Sequence, residues 1–270
     1  MTGFAALVRL SLRDLSRRRI LWVLGFLLLG GFAASFWIRH LMERMVIEGA
    51  SVEIVTRKAN QTLKFLADRI RETSTFAVIL VAAIVAPESR RNGTTQFVLA
   101  AGVGRLRHAA SQFLALSAFV AAGALVVHGG FFAAAANVGP VKASEVLLAW
   151  ALLLAPLLAV ASAVFSMSLT LSTIEVLLLF IAEPVALRAM ADMAGRFLPL
   201  GPVRVLESAV LLFPNPTDAT PWPHLALAHG PPAPDLVRPA VHALLAAAFW
   251  TAWGLVLLRR HDFGSRTAIK

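Results

Sequence analysis

Residues 20–38 read ILWVLGFLLLGGFAASFWI, nineteen consecutive positions without a charge. Arg17, Arg18 and Arg19 precede the run and Arg39 follows it. At 1.5 Å per residue, a helix of that length matches a hydrocarbon core of roughly 30 Å. Trp22 and Trp37 stand near its two ends, where indoles favour the bilayer interface. A cleaved leader has a shorter apolar core and a small-residue cleavage site, so this run reads as a retained span. Outward from it, further apolar stretches occupy 73–87, 113–136, 146–171, 174–187 and 239–258. Residues 146–187 taken as one helix would be about 63 Å long, too long for one crossing, so a tight turn is expected at 168–173. The short fifth stretch is expected to tilt or break at Pro184.

Composition points the same way. Of the 270 residues 58% are hydrophobic and only 15% charged, against about 25% charged in soluble domains. The expected fold is therefore an all-α integral membrane protein, a single domain of six transmembrane helices, and a compact soluble enzyme is excluded. There is no cysteine, hence no disulfide framework and no thiolate chemistry. The net charge of +10 suits contact with anionic lipid headgroups. Its basic residues flank apolar spans instead of forming one patch, so nucleic acid is not an expected partner. With the N-terminus in the cytoplasm, inside segments hold 13 Lys and Arg in 58 residues and outside segments 12 in 94, which favours cytoplasmic ends.

Residues 1–19 pattern as an amphipathic helix. Phe4, Leu7, Val8, Leu12 and Leu15 share one face and Arg9, Arg13 and Arg17 the other. Such a helix lies in the headgroup plane, as a positive anchor or as a contact for a partner. The outer segment 39–72 carries seven basic and five acidic side chains, with Glu53 and Arg57, and Lys64 and Asp68, at i,i+4 spacing. One or two short helices are expected there, a solvated cap or a docking site for an extracytoplasmic partner. The Pro-rich stretch 214–239 reads as an irregular loop.

The connection 88–112, ESRRNGTTQFVLAAGVGRLRHAASQ, is long for a simple connector. Asn92-Gly93 signals a turn, Gly93 is expected at positive φ, and Thr94 or Thr95 is expected to cap a short cytoplasmic helix. The order Glu88, Arg90, Arg91, Gly93, Thr94, an apolar stretch 97–100 and then Gly104-Arg105 resembles the permease subunits of type-2 ABC exporters. Phe213-Pro214-Asn215-Pro216 and Arg259-Arg260-His261-Asp262-Phe263 are similar to stretches flanking that family's last span.

The resemblance implies an inner-membrane subunit of a bacterium, paired with a second permease copy, identical or paralogous, and with two ABC ATPase subunits. It implies ATP and Mg²⁺ on the ATPase and no cofactor on this chain. It also implies a coupling interface at Glu88, Arg90, Arg91, Gly93, Thr94 and Arg105. The chain has no GxxxxGK[S/T] phosphate cradle and no region long enough for a nucleotide-binding domain. GxSxG and HExxH patterns are absent too, so no catalytic or metal site is expected. The expected activity is export of an amphipathic or hydrophobic substrate. The alternatives are mechanical coupling to an extracytoplasmic partner and a structural subunit without energy coupling.

Ionisable groups within spans cost roughly 2.5–3.5 kcal/mol at the centre on insertion scales and are default candidates for function. Glu183, before Pro184, reads as a pathway carboxylate or a structural partner. Glu175 lies near the cytoplasmic end of the same stretch, and His128 precedes Gly129-Gly130.

Overall fold

The computed structural model describes residues 2–17, 51–136, 143–182 and 237–260, with scattered positions between 30 and 49. Among them the fold is all helical, without strands. Helix α1 spans Thr2–Ser16, α2 Val52–Arg91, α3 Thr94–Ala100, α4 Arg105–Ala136, α5 Ala143–Ser168, α6 Thr173–Leu177 and α7 Val237–Arg260. A π-helical turn, Leu178–Ala182, follows α6 directly. The expected span 20–38, Pro184 and the Pro-rich loop lie largely or wholly outside the described residues.

Among the described residues three stretches are long and apolar enough to cross a bilayer, consistent with a membrane protein: Glu72–Arg91, Arg105–Ala133 and Val241–Arg259. A shorter apolar stretch, Leu153–Ser168, lies in α5. The turn expected at 168–173 falls at Leu169–Ser172. Ser172 then caps α6 through a reciprocal pair: its Oγ accepts from the Glu175 N–H and its own N–H donates to Glu175 Oε2 at 2.7 Å.

Of the one or two short helices expected in 39–72, a helical stretch at 43–47 is short, but the helix that starts at Val52 is not. Gly49, at φ +82°, ends a turn, and Ser51 starts α2 by accepting from the Ile54 N–H. From there the helix runs forty residues to Arg91, about 60 Å, because no glycine or proline interrupts 51–86. Pro87 is the first breaker, and α2 passes through it. Proline has no N–H, so the Ala83 carbonyl loses its helical donor. Thr173 Oγ1 at the start of α6 donates to that carbonyl instead, at 3.4 Å.

The core lies where α2, α4 and α5 meet. Ala82, Ala83, Ala115, Leu116, Leu153, Ala161 and Val164 are wholly buried there. Small residues bring α5 and α7 together: Ala155, Ala159, Ser162 and Ser166 face Ala243, Ala246, Ala247 and Gly254. Close backbone approach and hydroxyl bonds carry this contact. Ser162 Oγ donates to the Ala247 carbonyl at 3.3 Å, and Ser166 Oγ to the Trp250 carbonyl at 2.7 Å.

Helix α1 uses its apolar face on the protein itself. Leu15 is buried, and Val8 and Leu12 pack against the main core. Arg9, Arg13 and Arg17 are exposed, as the pattern implied. Its apolar face is thus shared with the bundle and not left entirely to the headgroup plane.

Candidate coupling site

The chain between two long helices, α2 and α4, folds as an elbow around α3. Asn92 N–H bonds back to the Glu88 carbonyl at 2.8 Å and closes α2. Gly93 follows at φ +73° and its carbonyl accepts from the Phe97 N–H at 2.9 Å. The N-cap of α3 is therefore Gly93, with no side-chain cap, where a threonine was expected.

Thr95 is drawn inward instead. It is buried, its Oγ1 lies 2.9 Å from Ser89 Oγ on α2, and His108 Nε2 on α4 lies 3.4 Å away. This chain of three polar groups fastens α3 to both long helices. At its other end α3 closes with a pair of bonds, Gly102 N–H to the Leu99 carbonyl and Val103 N–H to the Val98 carbonyl. Gly102 holds φ +79° to allow it.

Gly93→Val should destabilise the elbow by about 1–2 kcal/mol, the cost of a left-handed backbone for a residue with a Cβ. A Cβ at Gly93 meets nothing within 4 Å, so the loss reports backbone strain alone. Gly93→Asn, which tolerates that region, should recover most of the thermal midpoint. Equal midpoints for Val and Gly would remove the argument.

The expected site residues separate into two groups. Arg91, Thr94 and Arg105 are exposed on the elbow, together with Gln96 and Phe97, which is 77% exposed. Glu88 is half-buried, and Glu88 and Arg105 already hold interactions within the chain. Arg90 turns inward. Its guanidinium donates to the carbonyls of Leu169 and Ser168, both at 2.8 Å, and of Leu171 at 3.3 Å. These carbonyls lie at and just beyond the end of α5, where no helical N–H reaches them and the helix dipole favours a cation. Arg90 thereby ties α2, and the elbow with it, to a third helix.

The remaining candidates do not join this site. Glu175 is exposed, and its carboxylate is occupied as the capping partner of Ser172. His128 lies on α4, and its side chain is outside the described residues, as is Glu183. Among the described residues no group of three or more His, Cys, Asp or Glu could hold a metal. Sequence reading missed Ser89, His108 and Thr173, and gave Thr95 a capping role in place of its contacts with Ser89 and His108. No local pattern singled out Ser89, His108 or Thr173.

Neither a family model nor a curated protein matches the chain.

Proposed function

We propose that this chain is the transmembrane subunit of an ATP-driven ABC exporter, with ATP and Mg²⁺ bound on a separate ATPase. The observation that carries the reading is the elbow. A seven-residue helix presents Phe97 and Gln96 outward and is fastened inward to α2 and α4 by Ser89, Thr95 and His108. A push on α3 would pass into α2 and α4, and through Arg90 into the end of α5. A connector between two spans has no need of that stiffness, whereas a subunit driven from outside does. In this reading Arg91, Thr94, Gln96 and Phe97 meet the ATPase, Gly93 and Arg90 hold the elbow's shape, and the pathway forms between two permease copies. Both ends are cytoplasmic.

One feature favours the mechanical variant. The forty residues of α2 exceed a bilayer crossing by about 30 Å. That excess carries the segment 52–71 beyond the membrane on the side opposite the elbow. A rigid rod of this kind would deliver motion to an extracytoplasmic partner without moving a solute.

Purified in mild detergent from its own host, the chain should bring with it a subunit that labels with a photoreactive ATP analogue. Phe97→Asp and Arg91→Glu should reach the membrane in normal amounts, yet lose transport in sealed vesicles by roughly tenfold or more, the scale of one desolvated interface anchor. ATP hydrolysis without vesicle transport would favour the mechanical variant. Full coupling in both variants, or a chain that purifies without any ATP-binding subunit, would overturn the proposal.

A further inference from the structure

A groove of about 310 Å³ runs between α1, α4, α5 and α7. Its walls include Phe4 of α1, Phe113 and Leu114 of α4, Phe165 of α5, and Leu255 and Leu258 of α7. Two hydroxyls line it, and both are satisfied. Ser166 Oγ donates to the Trp250 carbonyl and Thr251 Oγ1 to the Ala247 carbonyl, each at 2.7 Å. No wall residue is acidic or basic. Whatever fills the groove buries hydrocarbon against hydrocarbon and leaves no polar group unpaired.

The charge sits beyond the walls. Arg107 on α4 is three residues before Ala110 and seven before Leu114, so it continues the stripe of α4 that lines the groove. Arg259 on α7 is four residues after Leu255 and extends the α7 stripe in the same way. Both side chains are exposed. Arg107 Nη2 lies 3.6 Å from where a Cβ on Gly3 would stand, beside the wall residue Phe4. An apolar slot with a basic mouth, in a protein of net charge +10, complements one molecule: an acyl chain joined to an anionic head.

We propose that the groove is a binding site for an anionic diacyl phospholipid, with one acyl chain between α4 and α7 and the headgroup phosphate held by Arg107 and Arg259. The volume lies at the small end of ligand sites, of roughly 300–1,000 Å³, and accommodates part of one chain rather than a whole lipid.

The test uses the full chain, taken from bilayers of equal phosphatidylglycerol and phosphatidylcholine into detergent, with retained lipid measured by mass spectrometry. Wild-type protein should retain phosphatidylglycerol over phosphatidylcholine by roughly tenfold or more, since each basic side chain near the surface adds a severalfold preference. Arg107→Gln with Arg259→Gln should bring that ratio close to one. Ala110→Trp fills the slot without touching a charge and should lower retention of both lipids. Should that variant fail to fold, the surface glutamine pair decides alone. Excess glycerol phosphate should displace nothing. Equal retention by the wild type, an unchanged ratio in the glutamine pair, or displacement by glycerol phosphate would each overturn the proposal.

Discussion

Arg90→Leu is expected to destabilise the folded chain by about 3 kcal/mol or more, the largest loss for any single side chain of the elbow. Three carbonyls accept from one guanidinium, two of them at 2.8 Å. A hydrogen bond to a charged group contributes about 1.5–3 kcal/mol, and the three are not additive because one side chain makes them all. Leucine would remove the donor and leave part-buried carbonyls at the end of α5 without it. Lysine should recover less than half: its ammonium is a point charge and cannot hold the forked geometry that spans Ser168, Leu169 and Leu171. The thermal midpoint in detergent, read from intrinsic tryptophan fluorescence, measures the loss. A normal midpoint with ATPase coupling lost would show instead that Arg90 acts on a partner and not as a clamp on α5.

The second large effect belongs to Gly254. A Cβ there would stand 2.6 Å from Ser166 Oγ and 3.1 Å from Ser166 Cβ. Ser166 has no free rotation to spare, because its Oγ is bonded to the Trp250 carbonyl. Gly254→Leu must therefore part α5 from α7, at a cost of about 1–3 kcal/mol for overpacking and more if the Ser162 and Ser166 bonds across the pair are lost as well. Gly254→Ala should cost less but still measurably. Combining it with Ser166→Gly moves the small residue to the other helix and should recover much of the loss. A double-mutant cycle on thermal midpoints gives the coupling, and strict additivity of the two changes would rule out the close contact.

These two residues show where a one-dimensional reading stops. The membrane class was legible from composition, and the turn near residue 170 from the arithmetic of bilayer thickness. Asn92-Gly93 announced the elbow, and the left-handed backbone at Gly93 followed from it. What decides the role of Arg90 lies 79 residues further along the chain, beyond any local pattern. Placed beside Glu88 and Arg91, Arg90 looked like a third surface charge. Thr95 misled in a similar way. Its place next to a turn suggested a cap, while its hydroxyl is claimed by Ser89 and His108. The long α2 was hidden by its charges. Glu53, Arg57, Lys64 and Asp68 suggested a separate solvated element, yet charge does not break a helix, and the absence of glycine and proline was the stronger signal. Gly254 carried no signal at all, because its meaning depends on which helix passes it.

The Arg90 clamp also sets an order on biosynthesis. Its acceptors are made 78 to 81 residues after it. At about 5–20 residues per second, roughly 4–16 s separate the guanidinium from the carbonyls it will hold. During that interval the end of α5 does not yet exist, and the guanidinium lacks the carbonyls it will hold. A nascent chain halted before residue 168 should therefore leave α2 free to turn about its own axis, and one halted far enough beyond residue 171 for the end of α5 to leave the ribosome should not. The newborn helix is locked in place by a residue that was waiting for it.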